Sequence, residues 1–82
     1  MELLSDSEVI DILRKESEEY RRLEEEHKNL EEMLSEIDKR KFLSTEEEIE
    51  RKRIQKQKLL KKDRMAEIIR DYKRQMFQGV IN

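Results

Sequence analysis

From Leu13 to Ile37 one helical face is marked by Leu13, Glu16, Tyr20, Leu23, His27, Leu30, Leu34 and Ile37. Steps of three and four alternate along it without a slip, the heptad spacing that turns one narrow helix face towards a partner helix. The stripe lapses at Phe42–Thr45. A second one follows through Ile54, Met65, Ile68, Tyr72 and Met76, with Lys58 and Lys61 at the two positions between Ile54 and Met65. A long helix, a break and another long helix predict an all-α chain folded as an antiparallel helical hairpin, that is, a two-helix coiled coil. Residues 1–82 read as one unit, with helices over about 6–41 and 45–78 and a turn at 42–44. Folding about that turn brings Ile37 to Ile49, His27 and Leu30 to Leu59 and Leu60, and Tyr20 to Met65 or Ala66.

Local signals agree with these boundaries. Ser5 with Glu8 three residues on is a capping-box pattern, and Ser44 or Thr45 with Glu47 or Glu48 repeats it. Glu46, Glu47 and Glu48 suit the positive end of a helix dipole, and Lys39-Arg40-Lys41 suits the negative end of the helix before it. Gly79 offers a stop for the second helix. A further apolar set, Ile49, Leu59, Leu60, Ala66 and Phe77, lies off the second stripe. A helix with apolar groups on more than one face touches more than one neighbour.

Composition sets what such a chain can do. Charged residues make up 49% of it and apolar residues 34%, enough for a seam between helices but not for a core around a deep pocket. Cysteine is absent, which removes disulfides and thiol chemistry together. The first residues lack the basic start and apolar run of a signal peptide, and no stretch has the roughly 18 apolar residues of a membrane span. A soluble, cytoplasmic protein is the expectation, with no membrane partner.

No catalytic constellation is present. His27 is the single histidine, and Ser17 and Ser35 lie too far along the same helix to reach it. A non-enzymatic chain without catalytic residues, cofactor or small-molecule substrate is therefore expected. Glu24 and His27 have the Glu-x-x-His spacing of di-iron bundles, and Glu31 or Asp63 could join them. A glutamate-rich helix produces that spacing often, and the heptad puts Glu24 on the flank of the seam. No metal site is expected, and His27 reads as a polar seam residue. Glu16 facing Arg70, and His27 within about a turn of Asp63, form a fold-specifying polar seam on this reading.

Charge divides the chain in two. Residues 1–41 hold fourteen acids and eight bases (net −6), and residues 42–82 hold seven acids and eleven bases (net +4). Arg51, Lys52, Arg53, Lys56, Lys58, Lys61, Lys62 and Arg64 fall within fourteen positions that contain one acid, Asp63. Complementarity between an acidic and a basic helix accounts for this pattern. The alternative is an anion-binding surface for RNA, DNA or a ribonucleoprotein, although the stretch lacks the aromatics of single-strand binders. At the open end Ile10, Ile12, Ile69 and Phe77 would form an exposed apolar patch on a two-helix hairpin. Burying them between two copies predicts a homodimer of four helices, and a different protein partner could use the same patch.

Two segments carry a family resemblance. Tyr20-Arg21-Arg22-Leu23-Glu24-Glu25-Glu26-His27-Lys28-Asn29-Leu30 and Lys58-Leu59-Leu60-Lys61-Lys62-Asp63-Arg64-Met65 resemble the small bacterial YdcH-like family. That family pairs an aromatic-x-x-Leu-x-x-x-His-x-x-Leu segment with a Lys-Leu-x-Leu-Lys-Asp-x-Ile segment. The resemblance spans roughly residues 13–72. Lys61 stands where the family usually has leucine, and Met65 where it has isoleucine. The resemblance implies a helical hairpin and no established activity.

Overall fold

The computed structural model describes residues 4–81, with side chains over residues 4–76. The chain is all-helical, with no strand among the described residues. Three helices are present: α1 (Asp6–Glu16), α2 (Glu18–Asp38) and α3 (Thr45–Ile81). The expected single helix over 6–41 is thus corrected in two places. It is interrupted at Ser17, and its second half ends at Asp38, so that the connection runs over residues 39–44.

Ser17 ends one helix and starts the next. Its backbone is extended (φ −113°, ψ 111°), its N–H still donates to Leu13 O at 2.8 Å, and its Oγ accepts from Tyr20 N–H at 3.1 Å. A helix break orphans carbonyls on one side and amides on the other, and each needs a substitute partner. Arg21 supplies one by donating to Arg14 O at 2.9 Å and Lys15 O at 3.1 Å. Arg14 in turn forks onto Glu24, with its Nε 2.9 Å from Oε1 and its Nη2 2.8 Å from Oε2. Two arginines therefore stitch α1 to α2 across one extended residue.

The break has a packing reason. A straight helix carrying the Leu13–Tyr20 stripe would turn Glu16 into the seam and bury an unpaired carboxylate. In the structure Glu16 is exposed and half-buried Ser17 takes the position beside the seam. Val9 and Leu13 then join Tyr20 in a buried cluster, with Leu4, Ile10, Met65, Ile68, Ile69 and Tyr72 packed around it. α1 is held there by Lys73, which donates to Asp6. The cluster touches all three helices.

α2 and α3 run antiparallel, as their cross-helix ion pairs show. Asp38 pairs with Arg51, Glu31 with Lys58, Glu26 with Lys61 and Glu19 with Arg64. Leu23, Leu34 and Ile54 are buried along the seam. The connection closes through Arg40, which reaches Glu47 on α3, while Lys39 holds Glu36 at 3.1 Å. Because the helix stops before the basic cluster, Arg40 lies in the connection, from which it meets Glu47. Ser44 starts α3: its Oγ accepts from Glu47 N–H at 3.1 Å, and its own N–H donates to Glu47 Oε1 at 3.0 Å. Gly79 does not end α3, which continues to Ile81. The molecule measures 57 × 21 × 18 Å, and α3 spans its length.

Replacing Ser17 by alanine removes the cap of α2 and is expected to cost about 1 kcal/mol in urea unfolding. Far-UV helicity should stay level or rise, because alanine favours joining α1 to α2. Unchanged stability would show that the break does not depend on the Ser17 side chain.

Candidate interaction surface

The seam between α2 and α3 sorts its charges by position. Arg51 Nε lies 2.7 Å from Asp38 Oδ1, and Lys61 Nζ lies 2.8 Å from Glu26 Oε2. Lys58 Nζ stands 3.6 Å from Glu31 Oε1, and the Arg64 guanidinium grips Glu19 at 3.1 Å and Glu67 at 2.8 Å. Arg53 turns along its own helix to Glu50 at 3.5 Å. Five of the eight bases in the candidate anion-binding stretch are thus matched by the chain's own carboxylates. Lys52, Lys56 and Lys62 are exposed and make no ion pair among the described residues. Hydrogen bonds from Lys61, more than the charge itself, hold the Glu26 carboxyl below the usual glutamate range. Glu19 likewise holds the Arg64 guanidinium above its ordinary value. Lys61, placed where a leucine would dry the seam, keeps its ammonium at the edge and its stem against the seam.

The expected polar seam is not assembled. Glu16 and Arg70 are both exposed and form no ion pair with each other. The break at Ser17 takes Glu16 out of the expected stripe, and Arg70, two positions from both Ile68 and Tyr72, lies on the side of α3 away from the seam. Asp63 is exposed and makes no hydrogen bond to His27. It stands two positions from Lys61 on one side and two from Met65 on the other, a spacing that puts it on the far side of α3. His27 itself is half-buried. Its Nδ1 lies 3.6 Å from Glu31 Oε1, and its Nε2 is buried without a partner. Glu24 is committed to Arg14 and does not converge with His27. Burial lifts the Tyr20 hydroxyl above the ordinary tyrosine value, with Glu24 adding to the effect.

The open-end patch is also rearranged. Ile10 and Ile69 pack against the Val9–Leu13–Tyr20 cluster, and Ile12 is half-buried. Phe77 lies outside the residues whose side chains are described. At the open end Met76 stays 38% exposed, but the more exposed apolar groups are elsewhere: Ile49, Leu59 and Leu60 on α3 are 55–57% exposed, Met33 on α2 is 46% exposed, and Phe42 in the connection is 85% exposed. Ile49, Leu59 and Leu60 belong to the off-stripe set; Ile49 and Leu60 lie on the side of α3 turned away from α2, and Leu59 stands at the edge of that side, next to the groove that Leu34 also lines. Shallow grooves flank the seam. One is lined by Glu26, Asn29, Leu30, Gln57 and Lys61, the other by Leu34, Gln55, Lys58, Leu59 and Lys62. Mostly charged and amide walls suit a helix flank better than a small apolar substrate. Among the described residues no three histidine or carboxylate groups gather as metal ligands, and no helix is long and apolar enough to cross a membrane.

Two predictions follow from this geometry. His27→Leu removes a buried ring nitrogen that has no hydrogen-bond partner, and should raise stability by roughly 1 kcal/mol; a loss of stability would mean that the imidazole is paired in solution. The second concerns Glu26. A carboxyl lowered in the folded state contributes stability above its unfolded value of about 4.3 and loses it as pH falls further. The Tm difference between the parent and Lys61→Met should therefore narrow between pH 7 and pH 3. A difference independent of pH would remove the pair from the account.

No family model, curated protein or solved structure matches the chain. The YdcH-like resemblance therefore rests on the residues quoted for it.

Proposed function

We propose that this chain is a non-enzymatic helical interaction module, acting on proteins through the helix faces it leaves uncovered. In this reading α2 and α3 form the working two-helix hairpin, and α1 is a folded-back lead that fills its open end. The setting is the cytoplasm, and the partner is a second copy or another protein. The observation that carries the reading is the outer face of α3, where Ile49, Leu59 and Leu60 are more than half exposed on a helix whose inner face is already satisfied. Exposed leucines scattered singly carry no message, whereas an aligned set on one helix face is the form a helix-docking surface takes. The open end contributes less than a bare hairpin would, because α1 consumes Ile10 and Ile69.

The alternative, an RNA or DNA surface over residues 51–64, has fewer groups to draw on. Binding a polyanion scales with the number of cations free to displace its counterions. Five of the eight bases would first have to leave their own carboxylates.

The test is photo-cross-linking in cells, with the reactive residue placed at Leu60 and, as a control, at Glu25 on the outer face of α2. Discrete, nuclease-resistant protein adducts from position 60 alone are expected. Nuclease-sensitive adducts, or none, would overturn the reading.

A further inference from the structure

The outer face of α3 has an order that its exposure alone does not require. Starting from Ile49, residues on that face recur at steps of three and four through Lys52, Lys56, the Leu59-Leu60 pair, Asp63, Glu67 and Arg70. All of them are exposed. This is a second heptad stripe, on the side of the helix opposite the seam with α2. Its charges are opposite in sign at equal distances from the midpoint between Leu59 and Leu60. At equal distances from that midpoint stand Lys56 and Asp63, then Lys52 and Glu67, then Ile49 and Arg70.

Such an order has one direct use. If two copies of α3 cross antiparallel with a twofold axis at the Leu59-Leu60 midpoint, Leu59 of each meets Leu60 of the other. Lys56 then faces Asp63 of the second copy, Lys52 faces Glu67, and the alkyl stem of Arg70 covers Ile49. Each pair occurs twice because the contact is isologous. We infer that the outer face of α3 is a self-complementary surface that pairs two copies of this chain antiparallel about Leu59 and Leu60. The inference rests on the interaction-module reading above and names the partner as a second copy.

Charge complementarity commits the surface to that occupant. Lys52, Lys56, Asp63 and Arg70 make no ion pair within the chain among the described residues, and each pairs or packs in the symmetric arrangement. Glu67 already receives Arg64 at 2.8 Å, and a carboxylate can accept a second cation. A parallel arrangement in register would set Lys56 against Lys56 and Asp63 against Asp63, which like charges disfavour. The stripe from Ile49 to Arg70 extends about 33 Å at helical rise, enough for three heptads of contact. α2 lies behind α3, so both copies can approach with nothing between them but these side chains. The result is a four-helix layer in the order α2, α3, then α3 and α2 of the second copy.

Sedimentation equilibrium of the full chain between about 1 and 500 µM tests this, with charge swaps as the discriminating variants. The parent should move from monomer to dimer mass over that range. Lys56→Glu sets glutamate against Asp63 twice per dimer, and Asp63→Lys sets lysine against Lys56 twice. Each variant alone should stay monomeric with unchanged helicity, since both residues are exposed. Mixing the two single variants should restore the dimer, because both crossings then oppose unlike charges, and the double variant should dimerise by itself. A parent that stays monomeric throughout overturns the inference, as does a mixture of the single variants that remains monomeric. A dimer indifferent to both swaps but lost in Ile69→Glu would place association at the open end and overturn it as well. Cross-links from position 60 to a different protein, with a monomeric parent, would sink the second-copy assignment while leaving the interaction-module reading intact.

Discussion

A core one stripe wide binds two helices together but does not say how far one has slid along the other. Leu23, Leu34 and Ile54 are buried between α2 and α3, and a slip by a heptad would set Lys61 or Glu47 in the place of Ile54, residues whose stems can still lie along the same face. The cross-helix charges decide. In the observed register Asp38, Glu31, Glu26 and Glu19 meet Arg51, Lys58, Lys61 and Arg64. Slide α3 by seven residues one way and Glu26 faces Ile68 while Glu19 faces Asp71. Slide it the other way and Glu26 faces Ile54, Glu19 faces Gln57 and Asp38 faces Ser44. Either slip keeps one ion pair of the four. Exposed pairs are worth ~0–1 kcal/mol each, so their weight lies in excluding alternatives rather than in total stability. Everything further along the molecule, including the contact of α1 with the far end of α3, inherits that register.

The stabilising apolar cluster sits at the other end, where Val9, Leu13 and Tyr20 meet α3. Getting there requires the break at Ser17, and the periodicity of the chain conceals it. The steps from Leu13 through Glu16 to Tyr20 are those of an unbroken helix, so pattern alone joins α1 to α2. The local chemistry says otherwise. Arg14 and Lys15 are placed as for a helix end, and Ser17 followed by Glu18 and Glu19 is placed as for a start. These are the same signals that mark Ser5 and Ser44, where no competing periodicity hid them. A charged residue on an apolar stripe is itself a warning, since burying Glu16 would be costlier than breaking the helix. The polar seam failed for related reasons. Glu16 left the stripe, and a helical wheel already puts Asp63 on the far side of α3. The helical class, both capping boxes and the pairing of acidic with basic helices were legible. The rotation introduced by a single extended residue was not, because it depends on three helices packing at once.

His27 shows how little such a seam tolerates. Its Nε2 is buried without a hydrogen-bond partner and its Nδ1 is 3.6 Å from Glu31, a carboxylate also approached by Lys58. An apolar residue there would pack without an orphaned polar atom. The histidine therefore weakens the middle of the hairpin, on the stretch of α2 between the Ser17 break and buried Leu34. Stability is concentrated instead at the open end, where the cluster and the Arg14–Glu24 fork lie. Local opening should accordingly begin near the connection, where Phe42 is exposed and the helices share few apolar groups.

The same sorting of charge separates the two ways the outer face of α3 could be used. A polyanion-binding surface profits from cations of one sign and loses from every carboxylate among them. Along the outer stripe Lys52 and Lys56 are followed by Asp63 and Glu67, so a strand lying on it would meet repulsion over half its path. A protein partner with the inverse order meets none. The chain itself, turned end for end, carries that inverse order, and the leucines fall where the two halves cross. α2 could not serve in this way. Glu18, Glu25 and Glu32 recur at heptad spacing on its outer face without an apolar residue between them to exclude water. Among the described residues of the two long helices, α3 is the one that combines mixed charge with aligned exposed apolar groups, and the proposed docking rests on that combination.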